Sequence, residues 1–166
     1  MLATVGCSNN AGPAPTSADP TPATAKPADF DPCTDIPAEV LKSENLSLTR
    51  PEDGDSNGIK THGCGYFMVG GYDVRIVRTT LTLPQIKDKF PDSYREQQFG
   101  SRAGAFYGLF ADRGSESCVM NLEMKTGSLE FDLANPPTRK KTGHMDSCQL
   151  VTDLANKVIP SIPEGA

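Results

Sequence analysis

The chain has 166 residues, of which 37% are apolar, and a formal net charge of −5 at pH 7. This length has room for one ordinary domain. The negative charge argues against nucleic acid as a partner, because non-specific binding to nucleic acid needs clustered positive charge. No run of 18 apolar residues occurs, so the sequence predicts no membrane-spanning helix.

Five cysteines are the most informative part of the composition. Cys7 stands apart near the start, and four others are spread along the rest of the chain: Cys33, Cys64, Cys118 and Cys148. An odd count divided in this way predicts two disulfides and one thiol with a separate role. Disulfides indicate an oxidising, extracytoplasmic compartment, whereas four free structural thiols in a cytosolic domain are the alternative.

Residues 1–7 read Met-Leu-Ala-Thr-Val-Gly-Cys. A small residue before a cysteine, preceded by short apolar residues, resembles the end of a bacterial lipoprotein signal, although the basic and long apolar regions of such a signal are missing. We interpret residues 1–7 as the remnant of this signal, with lipidation at Cys7. An ordinary exposed thiol is the alternative. Residues 8–29 contain five prolines and six alanines but no Leu, Ile, Val or aromatic residue, which predicts a disordered linker.

Residues 30–163 are predicted to form a single disulfide-bonded domain. Its first elements are a turn and a short helix over residues 30–41, followed by a polar surface loop over residues 50–60. Strands over residues 64–69 and 72–80 then form a hairpin with a two-residue Gly70-Gly71 loop. That register places Cys64 on the face opposite the apolar side chains.

The second half of the domain begins with a predicted helix. It starts at a capping box formed by Thr82 and Gln85, and it ends at Pro91. A strand is predicted over residues 103–111. The alternation over residues 117–133 predicts a hairpin with a two-residue loop, with Met124 opposite Leu129 and Glu123 opposite Glu130.

The proline-led, basic loop over residues 135–143 precedes the last element, which is an amphipathic helix that Pro160 ends. Its cations are Arg139, Lys140 and Lys141. They are interpreted either as solvated charges that keep the protein soluble or as contacts to anionic envelope polymer or lipid headgroups. The fold class is therefore α+β: an antiparallel β-sheet packed with short helices and a C-terminal amphipathic helix, with two disulfides.

The features that carry a family resemblance are Phe30-Asp-Pro-Cys33-Thr, the three later cysteines, the lipobox-like Cys7 and the linker. With these features, the chain resembles an actinobacterial envelope lipoprotein family, domain of unknown function 3558. The resemblance covers residues 30–163 and implies a location and a fold, without implying a reaction. Where the family usually has Cys-x-Trp, this chain has Cys64-Gly65-Tyr66. Four cysteines allow three connectivities. We favour Cys33–Cys64 and Cys118–Cys148, because each pair ties a helix start to a strand in its own half of the chain.

Residues suited to catalysis are few, and the sequence predicts no cofactor and no metal site, because no Cys-x-x-Cys or His-x-x-x-His spacing occurs. His62-Gly-Cys64 could be half of a metal site or a base beside a thiolate, but a loop histidine beside a disulfide is favoured. Glu123, Glu130 and Asp132 are interpreted as a solvated sheet face rather than an acid–base pair. Six aromatic side chains are either core or the lining of an apolar groove: Tyr66, Phe67, Phe99, Phe106, Tyr107 and Phe110.

The leading hypothesis is a non-catalytic binding or interaction module at the extracytoplasmic face of the cell membrane. It would be anchored through lipid on Cys7 and would bind an envelope protein or an apolar ligand. One alternative is an envelope hydrolase or transferase that uses carboxylates or His62 in a cleft. Another is a structural accessory subunit of an envelope complex, which predicts a large exposed apolar patch and no pocket.

Overall fold

The computed structural model describes residue 1, residues 29–108 and residues 116–166. In these ranges eight strands form one sheet, and every strand pair is antiparallel. The strands are β1 (Leu46–Pro51), β2 (Gly54–Ser56), β3 (Ile59–Met68), β4 (Asp73–Thr79), β5 (Arg95–Phe99), β6 (Arg102–Tyr107), β7 (Ser117–Glu123) and β8 (Ser128–Ala134). The helices are α1 (Ala38–Ser43), α2 (Leu83–Lys89) and α3 (Ser147–Val158), which continues into a 3₁₀ turn, Ile159–Ser161. The predicted α+β class is confirmed.

The strands lie in the order β1-β3-β4-β8-β7-β6-β5, and β2 pairs with the first part of β3. Three hairpins run β5-β6-β7-β8 along the chain, and β8 then pairs with β4 of the earlier hairpin. The β4–β8 pair therefore joins the two halves of the domain at the centre of the sheet.

One side of the sheet, which we call the helix face, packs against α3 and carries most of the hydrophobic core. The α3 residues Val151, Leu154, Ala155 and Val158 are all fully buried, as the predicted amphipathic stripe requires. The strands contribute apolar side chains at alternate positions: Cys64, Tyr66, Val74, Ile76, Phe106, Cys118, Met120, Leu122, Leu129, Phe131 and Leu133. The same core includes Phe30 and Ile36 from the N-terminal turn, and Val40 and Leu41 of α1 pack against it.

The opposite side, which we call the polar face, is covered over β6 and β7 by α2. The Thr82 side chain accepts a hydrogen bond from the Gln85 N–H, and the Gln85 side chain accepts one from the Thr82 N–H. The predicted capping box is thus confirmed. Leu83 and Ile86 of α2 pack in a small cluster with Tyr107 and other residues of β6 and β7.

The register predicted for the β3–β4 hairpin is wrong by one residue. Tyr66 pairs with Val74, and Cys64 pairs with Ile76. The turn contains three residues, 69–71, and Gly70 adopts a φ of +74° there. Because a shift of one residue exchanges the two faces of a strand, Cys64 lies on the helix face and not on the opposite face.

The predicted β7–β8 register is wrong by two residues, since Leu122 pairs with Leu129 and Glu123 pairs with Ser128. The turn is the four-residue segment 124–127. A shift of two residues changes the partners but keeps each side chain on its predicted face. The apolar side chains therefore reach the helix face as predicted.

Three strands were not predicted. The segment over residues 50–60, predicted as a loop, contains the end of β1, all of β2 and the start of β3. Asn57 and Gly58 both have positive φ, 52° and 78°, and form the two-residue turn between β2 and β3. β5 is the third of these strands, and its first four residues are exposed, so it shows no apolar alternation.

Candidate functional site

The two disulfides have the predicted connectivity, Cys33–Cys64 and Cys118–Cys148, with Cα–Cα distances of 5.2 Å and 5.1 Å. Cys64 and Cys118 lie in strands on the helix face. Their partners lie in the elements that cover this face, the N-terminal turn and the first turn of α3. The Tyr66 hydroxyl donates a hydrogen bond to the Pro32 carbonyl oxygen at 2.5 Å, beside the first disulfide.

A cluster of ionisable side chains lies on the polar face, centred on Glu130, which is only 6% exposed. Tyr107 donates its hydroxyl hydrogen to Glu130 Oε2 at 2.9 Å, and Arg75 Nη2 donates to Glu130 Oε1. The same Arg75 nitrogen is 3.8 Å from Asp132 Oδ2. One guanidinium therefore lies between two carboxylates, of which one is buried and the other is 36% exposed at its side chain.

Burial sets the acidity of this cluster. It raises the pKa of Glu130 above its usual value, although the positive charge of Arg75 and the Tyr107 hydroxyl oppose the increase. Burial also raises the pKa of Asp132, again opposed by Arg75. The pKa of the Tyr107 hydroxyl is raised by burial and by the adjacent Glu130 carboxylate. Each of these three groups is therefore shifted towards its protonated form.

A second polar group lies next to this cluster, because Asn121 is the cross-strand neighbour of Glu130. Asn121 is fully buried, and its Nδ2 donates to Ser128 Oγ at 2.7 Å. The Ser128 hydroxyl in turn donates to the Leu81 carbonyl oxygen at 2.7 Å, which ties the segment before α2 to the sheet. Asn121 Oδ1 is buried and has no hydrogen-bond partner among the described residues.

The prediction that Glu123, Glu130 and Asp132 form a solvated face is therefore wrong for Glu130. Glu123 is exposed, as predicted, but Glu130 is buried because neighbouring strands and Tyr107 enclose it. Glu130 and Asp132 do lie within reach of one point, the Arg75 guanidinium. Because the buried Glu130 carboxylate is already bonded to Tyr107 and Arg75, the arrangement resembles a buried ion pair more than an open acid–base site.

A shallow trough of about 370 Å³ adjoins this cluster on the part of the polar face formed by β1, β3, β4 and β8. Gly65 and Ala134 are its smallest lining residues, and a Cβ at Gly65 would meet the Thr49 hydroxyl oxygen at 2.6 Å. Charged side chains line it, among them Arg75, Asp132 and Asp73. Asp73 in turn forms an ion pair with Arg139 from the basic loop. The trough thus offers paired charges of both signs.

His62, the other candidate for a chemical role, lies at a separate depression of about 810 Å³. Its Nδ1 is 2.7 Å from Asp53 Oδ1, and its Nε2 is 3.5 Å from Asp31 Oδ1. The His62 side chain is 55% exposed. Cys64 is in a disulfide, so it offers no thiolate to this histidine. In the described part of the chain, no group of three or more metal-ligating side chains occurs.

The six aromatic residues of the predicted groove are divided between regions. Tyr66, Phe99 and Phe106 are buried in the core of the helix face. Tyr107 is buried on the polar face, where it stacks on Phe90 with ring centroids 4.9 Å apart. Phe67 is half-buried, and Phe110 lies outside the described residues. These positions give the groove no support, and it stays a prediction.

Cys7 and nearly all of the predicted linker also lie outside the described residues, so lipidation remains a prediction from the sequence. None of the helices over residues 29–108 and 116–166 combines the length and apolar character needed to cross a membrane.

Fold and cross-links define a disulfide-bonded α+β domain with an antiparallel sheet. The chain belongs to the family described as protein of unknown function DUF3558, whose model matches residues 2–161. No solved structure and no curated protein matches it. The family description carries no activity, so function must be argued from the residues.

Proposed function

We propose that the chain is a lipid-anchored, extracytoplasmic module without catalytic activity, which binds an envelope protein or an apolar ligand at the cell membrane. Cys7 carries the lipid, residues 8–29 form the tether and the disulfide-bonded domain is the binding head. The observation that carries this proposal is the pair of disulfides, because such bonds persist in oxidising compartments and are rare in the cytosol.

We assign binding to the trough beside Arg75, where paired charges of both signs line the surface. Its charged lining favours a partner that brings polar or charged groups. A protein segment fits these features better than an apolar ligand, since half of the lining residues are charged and would lose water to an apolar ligand without a partner. The accessory-subunit alternative has less support, because Leu48, Val69 and Met145 are the large apolar residues that the described domain exposes.

The anchor is tested by metabolic labelling with radioactive palmitate in cells that express the full-length precursor. We expect the wild-type protein and a Ser8→Ala control to be labelled and to sediment with membranes. Cys7→Ala should lose both the label and the sedimentation. Equal labelling of Cys7→Ala and Ser8→Ala would contradict lipidation at Cys7.

A second candidate, an envelope hydrolase or transferase, is favoured by the position of His62 between the Asp53 and Asp31 carboxylates. A histidine oriented by an acid can act as a general base if one ring nitrogen reaches the substrate or a water molecule. Here Nδ1 faces Asp53, and Asp31 stands near Nε2, so a substrate would have to displace Asp31.

His144, which is exposed in the loop before α3, provides a matched control for this candidate. Purified wild-type, His62→Ala and His144→Ala proteins can be compared for hydrolysis of a nitrophenyl ester series. An enzyme that uses His62 would lose turnover in His62→Ala alone. The binding module that we propose shows equal, background rates for all three proteins.

A further inference from the structure

Two neighbouring loops form one end of the domain, which we call the basic tip and define as residues 69–71 and 139–145. The Lys141 N–H donates to the Gly70 carbonyl oxygen at 2.9 Å and joins the two loops. The buried Asn135 side chain donates from Nδ2 to the carbonyl oxygens of Thr142 at 2.8 Å and Met145 at 3.2 Å. These bonds hold the second loop in a defined shape.

The tip combines exposed apolar side chains with exposed cations. Val69 is 69% exposed and Met145 is 41% exposed. Lys140 and Lys141 are also exposed. Large apolar side chains next to lysines are typical of surfaces that enter the headgroup layer of an anionic membrane.

Charge is distributed unevenly along the strands. The tip lies at the end of the sheet where β4 begins, and its own residues include three cations and no acidic side chain, although Asp73 and Asp146 flank it and Glu44 and Glu116 lie in neighbouring segments. At the other end, where β4 finishes, lie the aspartates of the N-terminal turn and of the β1–β2 region. Those are Asp29, Asp31, Asp35, Asp53 and Asp55, opposed by Lys60, Arg78 and Lys125. In a chain of net charge −5, an anionic surface therefore attracts the tip and repels the opposite end.

We propose that the basic tip rests on an anionic lipid surface, with Val69 and Met145 in the headgroup layer and Lys140 and Lys141 against lipid phosphates. This inference rests on the proposed anchor, which keeps the domain at the membrane so that a weak surface contact suffices to orient it. Asp29, where the linker ends, is 3.6 Å from Arg78, at the far end of β4. A linker over residues 8–29 can extend to roughly 70 Å, whereas β4 is only about 20 Å long, so the tip can reach the membrane.

Vesicle binding of the full chain with Cys7→Ser, which cannot be acylated, tests the surface alone. Sedimentation with vesicles of phosphatidylglycerol and phosphatidylcholine is compared with sedimentation on phosphatidylcholine alone. We expect Lys140→Glu with Lys141→Glu to weaken binding to the anionic vesicles at least tenfold, since each lysine contributes about fivefold. Lys60→Glu with Lys125→Glu makes the same charge change at exposed positions away from the tip, and it should weaken binding about threefold or less. Equal losses in the two double variants would overturn the proposal.

A second measurement covers the case in which free binding is too weak to sediment. Coupling of the wild-type Cys7 thiol to a maleimide lipid in the same vesicles holds the chain at the membrane without enzymatic acylation. Hydrogen exchange of peptides covering residues 69–71 and 139–145 should slow at least twofold on anionic vesicles, and peptides covering residues 53–60 should not change. No difference between anionic and neutral vesicles would refute the tip contact. Palmitate labelling, by contrast, tests the anchor and is unaffected by either result.

Discussion

Different interactions attach the covering elements to the helix face and to the polar face of the sheet. On the helix face, each covering element is fastened to the sheet by a disulfide, and the core between them is almost entirely apolar. On the polar face, a capping box stabilises the start of α2, and a small apolar cluster and the Ser128–Leu81 hydrogen bond attach α2 and the segment before it to the sheet. The ionisable cluster around Glu130 lies on this second face. Stability is thus concentrated on one side, and the groups that respond to pH and to charged partners lie on the other.

The largest expected effect comes from removing both cross-links of the helix face. Replacing Cys33, Cys64, Cys118 and Cys148 by alanine opens two loops with sequence separations of 31 and 30 residues. Each loop contributes roughly 3–4 kcal/mol in the chain-entropy model, and a whole domain is typically stable by roughly 5–15 kcal/mol. We expect the variant to be unfolded or nearly so by circular dichroism at 37 °C. A folded variant that melts within a few degrees of Cys7→Ala would show that packing alone holds this face.

Leu154→Ala tests the apolar part of the same face. Leu154 of α3 is fully buried against the sheet. Truncation of such a leucine to alanine lowers the free energy of unfolding by about 2–5 kcal/mol, because apolar burial is lost and a cavity is left behind. Urea unfolding should show this loss. The control is Leu48→Ala on the edge strand, where 54% of the side chain is exposed and the expected change is at most about 0.5 kcal/mol. Similar losses for the two variants would contradict the position of the core.

Arg75→Gln tests the polar face and its pH dependence. Burial raises the pKa of Glu130 above the usual 4.5, so its contribution to stability is fully present below about pH 4.5 and is lost as the pH rises through the raised value. Removing Arg75 removes an opposing charge, so the Glu130 pKa rises further and the loss grows. We expect the variant to be about 3 kcal/mol less stable than wild type at pH 7, with the difference shrinking towards pH 4.

Unfolding titrations between pH 4 and pH 8 measure this dependence, and Glu130→Gln serves as its control. With Glu130→Gln in the background, Arg75→Gln should cost much less at pH 7, because no buried carboxylate is left without its cation. A cost for Arg75→Gln that is the same at every pH in both backgrounds would contradict the coupling.

The smallest expected effect is at the cap of α2. Thr82→Ala removes the side-chain oxygen that accepts the Gln85 N–H and should cost about 1 kcal/mol. Thr80→Ser, two residues earlier and outside the cap, keeps its hydroxyl and should change stability by a few tenths of a kcal/mol at most. Thermal unfolding of both variants separates the cap from a general effect of changing this segment. Equal melting temperatures for the two would show that the cap is dispensable.

Much of the helix face could be predicted from the sequence, because each of its elements has a clear periodicity. The stripe of α3 and the alternation in β7 and β8 placed their apolar side chains correctly even though the β7–β8 register was wrong. In β3 and β4, where the register was wrong by one residue, Cys64 was assigned to the opposite face. The length of the turn decides the register and therefore the face on which Cys64 lies. A Gly-Gly pair is compatible with both a two-residue and a three-residue turn.

The polar face was harder to predict, because its partners come from distant parts of the chain. Arg75 and Glu130 meet only because β8 pairs with β4, a pairing that no local pattern in the sequence indicates. Tyr107 encloses Glu130 from β6, which is separated from β8 by β7. The β2–β3 turn, by contrast, had a signal that could have been used: Asn57-Gly58 is a strong indicator of a two-residue hairpin turn.

The central claim is that four of the five cysteines are oxidised into two bonds that fasten the covering elements to the helix face. Titration of the untreated, denatured protein with a thiol reagent, followed by mass spectrometry of its peptides, tests this most directly. The account predicts at most one reactive thiol, at Cys7, and two linked peptide pairs that join Cys33 to Cys64 and Cys118 to Cys148. Four or more reactive thiols, or a peptide that joins Cys33 to Cys118 or Cys148, would contradict it.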